Sequence, residues 1–286
     1  MSPMQHLHNF AALAARYDGF ILDLWGVIHD GVTPYPGAID CLNHLKAAGK
    51  PTILLSNAPR RAHVAQAAMR GMGIADDRYT GILTSGEATH RMLRDRTDPF
   101  FATLGKRVFH LGPERDRNVI EGLDLTIVAT PAEADFVLNT GPDDLGSSTE
   151  VSAWHPLLAA CRAARLPMVC ANPDLEVIRG GHRLICAGAL TEHYESLGGT
   201  TRWIGKPDPA IYTPVLAMLG LDRPRVLAVG DALRTDIAGA ASANIDSCWI
   251  LGGIHGAELG DNPAAIGAAA TAAGLRPVAC LPAFVW

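Results

Sequence analysis

Four short stretches of the sequence combine residues that bind phosphate or metal ions with residues that make tight turns. They are Asp23-Leu24-Trp25-Gly26-Val27, Ser56-Asn57, Gly205-Lys206-Pro207-Asp208-Pro209 and the run GDALRTD from Gly230 to Asp236. A carboxylate followed by a glycine turn allows a phosphorus atom to approach closely. A hydroxyl beside backbone N–H groups can bind phosphate oxygens, and a lysine before a proline-started helix supplies a fixed positive charge. These stretches therefore predict a site for a small anion.

The run ending in Asp231 and Asp236 is the most specific of the four. Acids gathered at a buried strand end repel one another unless a cation or hydrogen-bond donors neutralise them, and hard oxygen ligands suit Mg²⁺. Each stretch taken alone also has a structural interpretation. Asp23 and Asp236 could cap a turn or a helix start, Ser56-Asn57 could form a turn, and Lys206 could lie on the surface.

The elements around these stretches predict a doubly wound α/β fold. Apolar runs at 19–25, 51–55, 80–84, 225–229 and 245–250 read as buried parallel strands, with a final strand or tail at 277–286. A second series of strands is predicted at 107–111, 135–138 and 167–170. Helical spacing predicts helices at 5–17, 38–48, 60–71, 86–95, 190–198, 208–219, 234–242 and 262–274. Ligands bind at the carboxyl ends of such strands, where Asp23 and Asp231 fall.

Size and composition limit the function classes. A chain of 286 residues is long enough for a large α/β domain and a smaller inserted one. The net charge of −5 and the lack of a basic stripe argue against nucleic acid as a partner. Six scattered cysteines without a CxxC pair indicate free thiols in a reducing compartment. No apolar run is long enough for a signal peptide or a membrane span, so we expect a cytoplasmic protein.

The four stretches together resemble the haloacid dehalogenase superfamily, in which a nucleophilic aspartate, a strand-end hydroxyl, a lysine and a magnesium-binding acid occur in this order. Ser56 and Lys206 lie 150 residues apart, which implies the inserted cap domain of that family. We expect the core to comprise 1–87 and 189–286 and the cap 88–188. In detail the chain is similar to the N-acetylglucosamine-phosphate, para-nitrophenyl-phosphate, pyridoxal-phosphate and phosphoglycolate phosphatases. That likeness spans roughly residues 18–255 and includes Thr84-Ser85-Gly86-Glu87-Ala88, Cys170-Ala171-Asn172-Pro173-Asp174 and Gly205-Lys206-Pro207.

The resemblance implies a Mg²⁺-dependent phosphatase that acts on a small phosphorylated metabolite, with a sugar phosphate as one option. Asp23 would attack phosphorus to form an aspartyl-phosphate, and Asp23, the backbone carbonyl of Trp25 and Asp231 would hold Mg²⁺. Asp236 would orient the water shell of the metal or Lys206. The transferring oxygens would be bound by Ser56, Asn57 and Lys206. In the cap, the substrate would be selected by Asn172, Asp174 and Arg179, with Arg179 or Arg183 available for a second anionic group, although an ordinary turn remains an alternative there.

One position departs from the family pattern. Phosphatases of the family have a second aspartate two residues after the nucleophile, where this sequence has Trp25. An indole cannot exchange the proton that this position transfers, and losing such help typically costs roughly 10²–10⁴-fold in rate. The alternatives are a slow phosphatase assisted by His29 or Asp30, a protein whose aspartyl-phosphate persists and serves phosphotransfer, or a non-hydrolytic binder or sensor of a phosphorylated ligand.

Other cofactors are not predicted. His155, His182 and His193 lack metal-ligand spacing, and no HExxH or Cys/His set suggests zinc. A GxGxxG sequence after a strand is absent, which argues against NAD. The resemblance also leaves a homodimer formed through the cap as an option.

Overall fold

A sheet of seven parallel strands forms the larger domain of the computed structural model, which describes residues 4–142, 150–179, 182–254, 260 and 262–286. Numbered in chain order, its strands are β1 (Gln5–His6), β2 (Gly19–Leu22), β3 (Thr52–Ser56), β4 (Gly81–Thr84), β12 (Val226–Gly230), β13 (Asp246–Ile250) and β14 (Ala279–Leu281). Their spatial order is β1-β14-β13-β12-β2-β3-β4. The two strands that precede Asp23 and Asp231, β2 and β12, are therefore neighbours at the centre of the sheet.

Burial on both faces of the sheet explains the apolar strand sequences. In β2, Phe20 and Leu22 pack into one hydrophobic cluster and Ile21 into another, because successive side chains point to opposite faces. The described helices that flank the two sheets are α1 (Ala11–Ala14), α2 (Ala38–Ala47), α3 (Ala62–Gly71), α4 (Ser85–Asp95), α5 (Pro99–Ala102), α6 (His155–Ala163), α7 (Ala187–Ser196), α8 (Tyr212–Leu219), α9 (Ala238–Ser242) and α10 (Pro263–Ala272). This doubly wound α/β arrangement confirms the predicted fold class. Among the described residues, no helix has both the length and the apolar composition needed to cross a bilayer.

A second, smaller sheet forms the inserted domain. Its five parallel strands, in the order β11-β8-β7-β5-β6, are β5 (Arg107–Leu111), β6 (Thr126–Val128), β7 (Phe136–Asn139), β8 (Met168–Cys170) and β11 (Thr201–Trp203). An antiparallel pair, β9 (Glu176–Arg179) and β10 (His182–Ile185), follows β8. We call β9 and β10 the cap hairpin. It was not among the predicted elements.

Strand pairing and packing beyond residue 188 bear on the border expected between the two domains. Strand β11 pairs with β8, and α7 packs its Leu190 and Tyr194 into the same hydrophobic cluster as Leu158 of α6. Sheet membership therefore favours a border after Trp203, and we propose that the core domain resumes there.

The N-terminal segment also differs from its prediction as a helix over 5–17. Residues Gln5 and His6 instead pair with the last strand, with the backbone N–H of Gln5 bonded to the carbonyl of Val278 at 3.0 Å. A helix covers only Ala11–Ala14. That prediction was wrong because pairing with a strand near residue 280 is a long-range contact, which local helical spacing does not reveal.

Candidate functional site

The carboxyl ends of the central strands bring three acids together. Asp23 follows β2, Asp231 follows β12, and Asp236 lies in a wide helical turn over Leu233–Ile237. One oxygen from each carboxylate lies within 4.8 Å of the others, and the exposed fraction of each residue is at most 8%. The turn has π-helical hydrogen bonding, including one of 3.2 Å from the N–H of Ile237 to the carbonyl of Ala232, and it directs Asp236 back toward the strand end.

Lys206 lies between two of these acids. Its Nζ donates hydrogen bonds of 2.6 Å to Asp23 Oδ1, 2.6 Å to Asp236 Oδ1 and 3.0 Å to the carbonyl of Leu55. The side chain is almost fully buried, so all three donors of the ammonium group are used inside the protein. Lys206 therefore holds one oxygen of Asp23 and fixes its orientation.

Two glycines enclose the carboxylate of Asp231. A Cβ atom added at Gly26, whose φ is +78°, would lie 2.0 Å from Asp231 Oδ2, and one added at Gly253 would also lie 2.0 Å from it. The same oxygen accepts a 2.7 Å hydrogen bond from the backbone N–H of Ile254. Any residue with a side chain at Gly26 or Gly253 would therefore displace the acid.

The charges of the cluster match the requirements of a divalent cation. Three carboxylates face a single ammonium group, so the buried cluster keeps a formal negative charge. Burial and repulsion from Asp236 raise the pKa of Asp23 to about 8, and burial with repulsion from Asp236 and Asp23 raises the pKa of Asp231. Burial acts to lower the pKa of Lys206, but attraction from Asp23 and Asp236 outweighs it and raises that pKa. Buried oxygen ligands with uncompensated charge suit Mg²⁺.

Asn57 and Ser56 lie at the same edge, but the side chain of Asn57 is occupied by protein groups. Its Nδ2 donates to Asp174 Oδ1 at 2.8 Å and to the carbonyl of Lys206 at 3.1 Å, and its Oδ1 accepts from the N–H of Lys206 at 2.8 Å. The Ser56 hydroxyl accepts from the N–H of Ala58 at 3.2 Å. The side chain of Asn57 thus holds the Lys206 loop and Asp174, and its expected contact with phosphate oxygens stays a prediction.

The cap residues expected to select a substrate separate into two groups. Asp174 lines the same cavity as Asp23. Asn172 is buried, and its Oδ1 accepts a hydrogen bond from the backbone N–H of Asp174 at 3.1 Å. Arg179 is exposed at the end of β9 and does not line the described cavities, and Arg183 is paired with Glu176. Of the described residues predicted to select the substrate, Asp174 lines the small cavity together with the acids, and Arg183 lines the larger cavity beside it.

Trp25 contributes an aromatic wall to the cavity. Its ring lies over Gly31 and packs edge-on against His29, with ring centroids 5.4 Å apart. His29 Nδ1 accepts the N–H of Gly31 at 3.0 Å, and burial lowers the pKa of His29 to about 4. Asp30 Oδ1 accepts the N–H groups of Val32 and Thr33. Both groups considered as substitutes for the missing acid therefore stabilise turns and do not line the cavity.

Two cavities that share lining residues lie near the acids. The smaller, about 50 Å³, lies among Asp23, Asp231, Asp236, Trp25 and Tyr35 of the core and Asp174 and Glu176–Ile178 of the cap. The larger, about 380 Å³, shares lining residues such as Asp174 and Thr235 and continues toward Leu233 and Leu275.

Tyr35, Gly253 and the cap hairpin were not predicted from the sequence as parts of the site. A signal for the hairpin was present, because Gly180-Gly181 separates two short runs rich in branched residues. No comparable local signal marks Tyr35 or Gly253.

The fold and this cluster define a class of α/β proteins in which acids at parallel strand ends surround a buried lysine. Family models confirm the class: residues 20–126 match the haloacid dehalogenase-like hydrolases, and residues 203–278 match a second model of the same hydrolases. The chain belongs to the haloacid dehalogenase-like hydrolase family. The second match begins where β11 ends, close to the border favoured by sheet membership.

Similar proteins extend this likeness over nearly the whole chain. A hydrolase structure of this family from Brucella suis 1330 is 35% identical, covers 98% of this chain and 100% of its own, and has a TM-score of 0.84. Chronophin from Bos taurus is 28% identical over 253 residues, which are 86% of this chain and 85% of that protein. The glycerol phosphate phosphatase from Mycobacterium tuberculosis, solved in complex with calcium, is 26% identical, covers 85% of this chain and 68% of its own, and has a TM-score of 0.62.

Proposed function

We propose that the protein is a Mg²⁺-dependent phosphatase that hydrolyses a small phosphate monoester through an aspartyl-phosphate on Asp23. The observation that carries the proposal is the buried contact of Lys206 with Asp23 and Asp236 beside Asp231. Lys206 binds Asp23 Oδ1, which leaves Asp23 Oδ2 as the oxygen that attacks phosphorus. The ammonium group remains close enough to stabilise charge on the transferring oxygens, which is the main requirement in phosphoryl transfer.

Asp23, Asp231 and the backbone carbonyl of Trp25 are the proposed metal ligands, with Asp236 orienting Lys206. A bound divalent ion would supply positive charge next to the phosphoryl group. The fit rests on the oxygen-only donor set and on the excess negative charge of the cluster. The calcium complex of the mycobacterial relative supports a divalent ion in this family.

The cavities favour a small ester. About 50 Å³ above Asp23 holds only a few water molecules, so the phosphoryl group would occupy most of it. The adjoining space of about 380 Å³ is within the usual range for ligand sites and would receive the organic part. A sugar phosphate or glycerol phosphate is of suitable size. The six cysteines, all free and buried, support our further proposal that the protein functions in the cytoplasm.

A panel of phosphorylated metabolites with Mg²⁺ tests this function, with released phosphate as the measurement. Wild-type protein should hydrolyse at least one ester, and Asp23→Asn should abolish that turnover. The matched control is Asp40→Asn, which removes a carboxylate on α2 whose side chain is 67% exposed. This variant should leave turnover unchanged. Turnover that survives in Asp23→Asn would contradict the proposed nucleophile.

Trp25 favours a second candidate, a binder or phosphotransferase that hydrolyses its ligand slowly. Its half-buried indole lines the cavity at the position where the resemblance leads one to expect an acid. Tight binding of a phosphate ester without turnover would support a binder. Label retained on Asp23 and released by an added alcohol would support phosphotransfer.

A further inference from the structure

The departing oxygen of a phosphate ester gains a proton as its bond to phosphorus breaks, unless its parent alcohol is already a strong acid. Trp25, two residues after Asp23, lines the cavity, but its indole N–H is not an acid at neutral pH. His29 and Asp30 are held in turns outside the cavity. Among the residues that the structure describes, the candidate donors are therefore the other titratable groups in the cavity wall.

In the described part of that wall, three side chains carry a titratable group that neither binds Lys206 nor belongs to the proposed metal site. They are Tyr35, Asp174 and Glu176. Glu176 is engaged in an ion pair with Arg183. Burial, with repulsion from Asp231 and Asp30, raises the pKa of Tyr35 above its usual value, so its phenol holds its proton too tightly to donate readily. Of the three described candidates, Asp174 is the one that remains.

The surroundings of Asp174 hold one of its oxygens and leave the other available. Oδ1 accepts the Asn57 Nδ2–H at 2.8 Å, and no hydrogen bond joins Oδ2 to another described residue. The backbone is fixed by a 3.0 Å bond from the N–H of Gly188 to the carbonyl of Asp174, where a Cβ on residue 188 would lie only 2.5 Å from that oxygen. The carboxyl is thus positioned in the cavity that Asp23 also lines.

We propose that Asp174, carried by the inserted domain, is the general acid and base of the reaction in place of the residue at position 25. This proposal rests on the phosphatase function proposed above. Asp23 forms a bond to phosphorus, the ester P–O bond breaks, and the proton of Asp174 passes to the departing alkoxide. Ionised Asp174 then accepts a proton from a water molecule while the oxygen of that water attacks phosphorus. The bond between phosphorus and Asp23 breaks, and phosphate leaves.

Electrostatics support the protonated starting state. Burial raises the pKa of Asp174, and repulsion from Asp236 acts in the same direction, while Lys206, Asn57 and Arg234 oppose them. The net direction is upward, which favours a carboxyl group that can donate.

The variant Asp174→Asn tests the proposal, because an amide oxygen can still accept from Asn57 but cannot donate an acidic proton. The measurement is the first turnover, by rapid quench, of glycerol phosphate and of 4-nitrophenyl phosphate with Mg²⁺. We expect the alkyl ester to slow about 10²–10⁴-fold and the nitrophenyl ester less than about tenfold, because nitrophenolate leaves without a proton. A burst of nitrophenol should precede slow steady-state release, as the aspartyl-phosphate then lacks its base.

Control variants distinguish an effect on the position of the substrate from an effect on proton transfer. Tyr35→Phe and Glu176→Gln alter the same cavity wall and should change the two esters by similar factors. Equal losses for both esters in Asp174→Asn, no loss at all, or nitrophenol release without a burst would overturn the proposed role. Asp23→Asn should abolish the first turnover of both esters, and activity remaining there would instead overturn the phosphatase function.

Discussion

Replacing Gly26 by alanine should displace Asp231 and so prevent metal binding. At a φ of +78° a non-glycine residue costs about 1–2 kcal/mol, and the added Cβ would lie 2.0 Å from Asp231 Oδ2. The acid cannot retreat freely, because Gly253 packs against it and the N–H of Ile254 holds Oδ2. Overpacking adds about 1–3 kcal/mol, for a total loss in the free energy of unfolding of about 2–5 kcal/mol.

Gly49→Ala is the matched control. Gly49 has a φ of +65° after α2 and nothing within 4 Å of an added Cβ, so it carries only the backbone cost of about 1–2 kcal/mol. Thermal denaturation with and without MgCl₂, together with calorimetric titration of Mg²⁺, measures both effects. We expect Gly26→Ala to lose its Mg²⁺-dependent rise in Tm and Gly49→Ala to keep it. Equal Mg²⁺ binding by the two variants would refute the proposed metal site.

Three further results are expected. In EDTA the Tm should fall as the pH rises from about 4 toward 8, because Asp23 binds its proton more tightly in the folded protein, with a pKa of about 8, than in the unfolded chain. The variant Asp23→Asn should flatten this dependence of Tm on pH, and an equally steep dependence in the variant would contradict the prediction. Lys206→Met should lower the free energy of unfolding of the metal-free protein by about 3–5 kcal/mol, because it leaves buried carboxylates unpaired. Denaturant unfolding measures this loss, and an unchanged midpoint would argue against the pairing of Lys206 with Asp23 and Asp236. Trp25→Asp should raise alkyl ester turnover, measured by phosphate release, less than about tenfold when it is the only substitution. Added to Asp174→Asn, it should raise turnover at least tenfold over that variant, and failure to do so would contradict the assignment of Asp174 as the proton donor.

The sequence was sufficient to predict the core sheet, because its strands are buried on both faces and read as apolar runs. The runs before Asp23, Ser56 and Asp231 all form central strands, and the carboxyl ends of parallel strands necessarily lie at one edge. That geometry depends on strand direction alone. The meeting of Asp23 and Asp231 could therefore be predicted without knowledge of side-chain contacts, whereas the approach of Lys206 and Asp236 was implied by the family resemblance.

The remaining features depend on contacts between segments distant in the chain. Strand β11 joins the smaller sheet only through its pairing with β8, and the first strand forms only because residues near 280 accept it. Tyr35 and Gly253 reach the cavity from loops whose course is set by tertiary packing. The preference of Asn57 for protein partners likewise depends on where the cap places Asp174.

One residue separates Asp174 from the cap hairpin, whose Val177 and Ile178 form the roof of the small cavity. The roof and the proposed proton donor therefore belong to one short stretch of the inserted domain. If Asp174 transfers the proton as proposed, a substitution in this stretch would alter both the covering of the small cavity and the supply of the proton.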